Sequence, residues 1–269
     1  MNKTPKVSVL VPAFNEPVET LEESMSSLMN QTFCDFECIV VDESTLPESA
    51  EVCERICARD ARFRYIHPAQ RLGVAGSLNL AISMARGELL ARFDSDDVCL
   101  SERLAVQVAF MDAHPEVGVV GAGLELIDEK GRSTAVRRYP QSFAKIARQL
   151  QFTTTLAHPT VMYRASIAKA HGVYDPSYMY SEDLDLWLRW LNKGIVFANV
   201  PDVLVKYRQA QTLRDRKHWK FNLRARIRNF GPRFFFRRLA GIACIGTWSI
   251  LPPSIQDKVF RSILLTVRQ

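Results

Sequence analysis

No apolar run in this chain reaches the ~18 residues that a membrane-spanning helix needs. No secretory leader is expected either, since MNKTPK runs straight into the strand pattern VSVLV. The six cysteines lack the His or Cys partners of a metal set: Cys34-x3-Cys38 and Cys53-x3-Cys57 fall in strand and helix patterns. With 269 residues, 47% of them apolar, the chain can build a core without disulfide staples, so reduced structural cysteines in a cytoplasmic protein are expected. No G-x-G-x-x-G follows the first strand, which argues against NAD or FAD. Repeats and low-complexity stretches are absent. Acid is scarce in one place: residues 206–238 hold twelve Lys or Arg against Asp215 alone, a net +11; with +2 on residues 239–269 and a total of +6, residues 1–205 carry −7. An acidic body carries a basic tail.

What is present is an alternation of strands and helices. Val7–Val11 and Phe36–Val41 are continuous apolar runs of the kind buried on both faces of a parallel sheet. Between and after them, Leu21, Met25, Leu28 and Met29 keep helical spacing, residues 48–58 read as a helix, Phe63–Ile66 as a strand, Arg71–Gly76 as a loop and Ser77–Ala85 as a helix. The order β-α-β-α-β-α-β with short loops predicts an α/β fold, a mostly parallel sheet with helices on both faces. Further on, residues 101–113 and 143–150 read as helices, and Val117–Val120 and Leu124–Ile127 as two strands, the second entering a hairpin turn at Glu129-Lys130-Gly131.

The stretch GELLARFDSDD organises the rest. Its strand pattern ends on Asp94, Ser95, Asp96 and Asp97, and three carboxylates in four residues need a compensating cation or water. The spacing Asp94-x-Asp96 suits Mg2+ or Mn2+ bound jointly with a nucleotide diphosphate, since hard cations take carboxylate, phosphate and water oxygens. A solvated turn in which Asp97 caps the following helix is the plainer reading. Glu16, Asp42 and the Asp94/Asp96 pair stand at the ends of strands one, two and four, the edge where open α/β sheets hold ligands. Asp42 could accept from ribose hydroxyls or a base N–H, or simply form an Asx turn. In SEDLDLWLRWL, Leu184, Trp187, Leu188 and Leu191 mark a buried helix face, with Ser181 as N-cap. Asp183 in its first turn is either a general base or an acid favoured by the helix dipole.

VSVLVPAFNE, VVDES, RLGVAGSLNLAISMARGE, FDSDD, LAHPTVMYR and SEDLDLWLRW together resemble family 2 inverting glycosyltransferases of the GT-A fold, most of all bacterial enzymes that assemble exopolysaccharide, capsule or O-antigen units. The resemblance covers roughly residues 6–208. It implies a catalytic domain over 1–208, with 1–100 as nucleotide-binding half and 101–208 as acceptor half, and a basic, mostly helical extension over 209–269. It implies that Pro12, Ala13, Glu16, Asp42, Gly73 and Asp94 bind the nucleotide, uridine being favoured, and that Asp94 and Asp96 hold Mn2+ or Mg2+. Ser95, His158, Glu182 and Arg208 would lie by the donor sugar and pyrophosphate, with Asp183 as base. Where many relatives have a further metal-ligating His after the Tyr-Arg pair, here Tyr207-Arg208, this chain has Gln209, Ala210 and Gln211. The Q-x-x-R-W signature of processive synthases is also missing, which implies one sugar per encounter.

The basic tail adds a partner. Trp219, Leu223, Ile227 and Phe230 mark one helix face among Lys220, Arg224, Arg226 and Arg228, a pattern that reads as membrane-surface. The expectation is a peripheral protein on the inner face of the bacterial cytoplasmic membrane. There it would add a sugar from a UDP-sugar to a lipid-diphosphate-linked saccharide, with no nucleic acid involved. A sugar nucleotidyltransferase and a non-enzymatic membrane-surface adaptor are the other readings; the first is disfavoured because PAFNE stands where a glycine-rich basic loop would follow strand one.

Overall fold

The structure, a computed structural model, describes residues 4–209 and 216–251. Along β1 (Val7–Ala13) the side chains alternate between two cores. Val7, Val9 and Val11 pack with α1 (Val18–Met29), α2 (Pro47–Cys57) and α4 (Arg103–Ala113). Leu10 faces the opposite core, built on α3 (Gly73–Met84), α5 (Phe143–Gln149), α6 (Ala165–His171) and α7 (Glu182–Asn192). Continuous apolar strands are therefore what this sheet requires, because both of its faces are covered by helices.

β1 pairs in parallel with β2 (Phe36–Asp42) and β4 (Leu89–Arg92), and β2 with β3 (Phe63–Ile66). Beyond β4 the sheet is mixed. β8 (Met162–Arg164) runs antiparallel to β4 and to β6 (Val117–Ile127), β6 runs parallel to β9 (Val196–Arg208), and β5 (Val98–Cys99) closes the edge antiparallel to β9. The full order is β3-β2-β1-β4-β8-β6-β9-β5, with β7 (Ser133–Arg137) forming the expected hairpin with β6. All six cysteines are free, and Cys38, Cys53, Cys57 and Cys99 are buried in the core.

Several sequence expectations need correcting. α3 begins at Gly73, inside the stretch read as a loop, because Glu43 accepts the N–H groups of Leu72 and Gly73 and so caps the helix from another strand end. Val117–Ile127 is one strand, not two; its glycines sit where β9 approaches with a register shift. Asp97 does not cap a helix: β5 intervenes, and Asp97 is buried, accepting the backbone N–H of Arg208 at 2.9 Å. Ser181 occupies the N-cap place of α7 in a left-handed conformation (φ 60°) and makes no capping bond.

The extension folds as α8 (Arg216–Arg228) and α9 (Phe235–Ile250). α8 packs on α7, with Ala225 fully buried in the second core. Ala210, Gln211 and residues 252–269 lie outside the described residues.

Candidate active site

Parallel pairing brings three strand ends together. Ala13 and Asp42 are register partners, and Asn15, at φ 52°, accepts from the N–H groups of Thr45 (2.9 Å) and Leu46 (3.2 Å), stitching the loop after β1 to the loop after β2. Pro12, half-buried, is paired with Val41 inside the same strand, which runs on to Ala13. From this loop Glu16 reaches the end of β4, where Ser95 Oγ donates to it at 3.0 Å. Burial, and less strongly the charge of Asp94, raises the Glu16 pKa above its ordinary value.

After β4 the carboxylates of Asp94, Asp96 and Asp97 converge, with one oxygen of each within 4.8 Å of the others. Burial, then the charges of Asp94 and Glu16, pushes Asp96 up to about 7; Asp97 is raised well above its ordinary value by burial and by its two neighbours. Three arginines answer them. Arg92, buried on β4, bonds Asp94. Arg103, fully buried on α4, donates to the Arg92 carbonyl at 2.6 Å and lies over the Phe93 ring. Arg208 donates through Nε to the Asp96 carbonyl (3.0 Å), through Nη2 to Glu23 (2.6 Å) and through Nη1 to the carbonyls of Asp128 and Glu129. One acceptor remains over: Asp97 Oδ2 is buried without a hydrogen-bond partner. A buried orphan oxygen in an all-oxygen donor set fits a hard divalent cation.

α7 supplies the facing wall. Glu182 lies within the electrostatic reach of both Arg92 and Asp94, and burial, followed by the charge of Asp183, pushes it up to about 8. His158, in a short 3-10 turn (His158–Thr160), sits 3.7 Å from Glu182 through Nδ1 and 2.8 Å from the Tyr174 hydroxyl through Nε2. Burial and the nearby Arg92 hold His158 well below its ordinary pKa, so the ring is neutral. Asp183, half-buried in the first turn, turns Oδ1 to the Leu184 N–H at 2.7 Å. At the other side, Asp42 is fully buried; Ser44 N–H and Oγ share one of its oxygens and the Tyr65 hydroxyl takes the other at 3.0 Å. Gly73 needs its left-handed φ of 67° to turn its N–H onto Glu43. Arg71 stacks 3.9 Å over Phe14, so the rim beside Gly73 is a cation on an exposed aromatic face.

Residues 8–172 match the family model described as Glycosyl transferase family 2. The chain belongs to that family. It is 32% identical over 216 residues to the amylovoran biosynthesis glycosyltransferase AmsE of Erwinia amylovora, covering 80% of each chain, and 34% identical over 188 residues to the O-antigen biosynthesis glycosyltransferase WbnJ of Escherichia coli, covering 69% of this chain and 72% of that one. Among solved structures, the mannosyltransferase PcManGT of Pyrobaculum calidifontis with GDP-Man and Mn2+ shares the fold at a TM-score of 0.65 and 17% identity over 98% of this chain and 81% of that one. A 1-349 fragment of S. aureus TarS with UDP-GlcNAc gives a TM-score of 0.61 and 22% identity, over 82% and 66% of the two chains. The chain spans 39% of the longer TarS structure. Family membership sets aside the nucleotidyltransferase and adaptor readings.

In this glycosyltransferase Glu16, Asp94, Ser95 and Asp96 meet at one sheet edge, and His158 and Glu182 stand together across from them. Asp42 and Arg208 belong to the same edge, but both are engaged by protein partners, Arg208 as a brace that ties β9 to the aspartate loop. Three residues escaped the sequence reading. Arg92 hides in an apolar strand pattern, Asp97 is open in sequence both to a cation and to a helix-capping role, and Tyr174 carries no local signal. The excess of acid in FDSDD demanded a cation, and that was the available pointer to Arg92.

Proposed function

We propose that this glycosyltransferase moves a single sugar from a nucleotide-diphosphate sugar, a UDP-sugar, to a lipid-diphosphate-linked saccharide with inversion, in the assembly of a bacterial surface polysaccharide. The observation that carries this reading is the meeting of Glu16, Asp94, Asp96 and Asp97 with Glu182 and Arg92 across one sheet edge. The relatives named for amylovoran and O-antigen biosynthesis support the pathway, and solved neighbours holding UDP-GlcNAc or GDP-Man support a nucleotide-sugar donor. Residues 1–208 form the catalytic domain in this reading, 1–100 holding the nucleotide and 101–208 the acceptor, and 209–269 the extension that keeps the protein peripheral on the inner face of the cytoplasmic membrane. No helix of the described residues is long and apolar enough to cross one.

Pro12, Ala13, Asp42 and Gly73 surround the nucleoside, and Asp42 reaches a base or ribose donor by exchanging its bond to Tyr65 or Ser44. Asp94 and Asp96 would hold Mn2+ or Mg2+, and Asp97 Oδ2 would offer the further oxygen in place of the missing His. The cation, when bound, contributes Lewis-acid stabilisation of charge on the departing diphosphate. Ser95, His158, Glu182 and Arg208 shape the donor-sugar side: Glu182, uncharged at neutral pH, can donate to a sugar oxygen, and Arg208 keeps the aspartate loop in place. Asp183 takes the proton from the attacking hydroxyl, which approaches the anomeric carbon opposite the leaving group. One displacement inverts the configuration.

The test is transfer of radiolabel from UDP-sugars, with GDP-mannose in parallel, into the lipid fraction of a membrane extract with Mn2+. Asp96→Ala and EDTA should each abolish transfer, and Asp183→Asn should lower turnover by roughly two to four orders of magnitude with little change in donor affinity. Full activity in EDTA would remove the metal from this reading. A product with retained anomeric configuration would remove the single displacement.

A further inference from the structure

α8 turns polar as well as apolar groups inward. Ala225 and Phe221 join the second core, and beside them the inner face is polar. Arg226, buried, donates to Asn222 at 2.9 Å and to the Leu150 carbonyl at 2.9 Å, and Asn229, just past the helix, donates to the buried Asp185 at 2.9 Å. Of the apolar face that the sequence marks, the C-terminal half is left outside: Ile227 is 56% exposed and Phe230 39%, while Trp219 and Leu223 are half-buried. Leu223 and Ile227 floor a groove of about 400 Å³ whose walls are Lys220, Arg224 and Arg228. α9 continues the theme, with Phe236 83%, Leu239 52% and Ile250 78% exposed. No charged residue occurs from Leu239 to Ile250. Helices fixed to a domain by specific polar bonds while showing apolar stripes outward are built to be covered by something else.

Charge identifies what covers them. A second copy of this chain would bring the same arginines and lysines against themselves, and only Asp215 offsets the twelve cations of residues 206–238. A surface that offers phosphates beside hydrocarbon satisfies both the walls and the floor of the groove. Two of the wall residues also reach toward the reaction. Arg224 donates to Ser177 Oγ at 3.0 Å and lies 4.7 Å over the Tyr178 ring, and Arg228 pairs with Asp175. These residues belong to the segment that leads from Tyr174, the partner of His158, to Glu182 and Asp183.

We propose that the outer face of α8, Leu223 and Ile227 between Lys220, Arg224 and Arg228, docks on an anionic phospholipid surface and thereby presents the Asp175–Asp183 segment to an acceptor held in the same leaflet. This rests on the lipid-linked acceptor of the proposed function only for its purpose; the docking itself is read without any transfer.

The experiment is flotation of the full chain with vesicles of phosphatidylcholine alone and with phosphatidylglycerol added. Wild type should float with the anionic vesicles at low salt and be released at high salt. Ile227→Glu should weaken that binding by roughly tenfold or more, Ile227→Leu should retain it, and both should keep the wild-type melting temperature, since the side chain is outside the core. Phe236→Glu reports separately whether α9 enters the interface. The proposal is overturned if wild type ignores anionic vesicles, if Ile227→Glu floats as wild type does, or if Ile227→Glu instead dissociates a dimer that never floats. Absence of sugar transfer from every donor tried would count against the catalytic reading and leave the flotation result standing.

Discussion

At the scale of single residues, the site is governed by where charge is allowed to reside. Glu182 sits with Asp183 on one side and Asp94 within reach, and burial is the larger reason that its carboxyl is pushed up from 4.5 to about 8. The native protein therefore holds a proton that the unfolded chain releases near 4.5, and this contribution to stability is complete at low pH and is lost as pH rises through about 8. Asp96, raised from 3.8 to about 7, adds a loss of the same sign in the metal-free protein. Glu182→Gln keeps the neutral shape, so in EDTA its melting temperature should fall less steeply across that window than that of wild type. Parallel curves would show that Glu182 is ionised in the native state. Because the amide keeps a neutral donor beside His158 and leaves Asp183, the proposed base, in place, the same variant should retain much of the neutral-pH turnover.

At the scale of elements, the helix starts carry more than their own residues reveal. α3 has no side-chain cap of its own; Glu43, from the end of β2, accepts the N–H groups of Leu72 and Gly73 at 3.0 and 3.1 Å and also bonds Ser77. A single carboxylate thus fixes the loop beside the proposed nucleoside position to the strand that carries Asp42. Gly73→Ala meets no atom within 4 Å, so its cost is the left-handed backbone alone, about 1–2 kcal/mol. The expected outcome is a several-fold higher donor KM with kcat little changed, since the acid cluster and α7 are untouched. An unchanged KM would detach this loop from donor binding. The periodicity of α7 was legible because its apolar positions recur, yet the structure buries Asp185, Leu186 and Trp190 as well. Asp185 is tolerated inside because Arg189 and Asn229 bond it, and a partner just past α8 cannot be read from helical spacing.

At the scale of the whole molecule, the sheet-bearing body and the C-terminal helices α8 and α9 share a core. Ala225 and Arg226 are buried against it, Arg238 donates to Asn192 at 2.6 Å, and Trp219 meets Trp248 between the two helices. Ending the chain at Arg208 would leave the Leu150 carbonyl without its bond from Arg226 and the fully buried Asp185 without its bond from Asn229. Its melting temperature should fall by roughly 5 °C or more. A truncated protein as stable as the full chain would show that α8 is merely attached.

The alternating α/β plan, the acids at strand ends and the amphipathic character of the tail are written in the order of residues. Each follows from residue periodicity or from local charge, which a one-dimensional pattern records. That the sheet turns mixed after β4 is set by folding, because strand direction depends on pairing between distant segments. Folding also decided that Asp97 faces inward with Asp94 and Asp96, that Arg92 and Arg103 compensate them, and that Arg208 is a brace. Those are contacts between side chains far apart in the chain or hidden in apolar runs. The tail shows the division most plainly: spacing marks one apolar face on α8, but which face turns inward was settled by what the domain offered it. The buried Asp185 and the Leu150 carbonyl needed polar partners, and Asn229 and Arg226 lie on the side that could reach them.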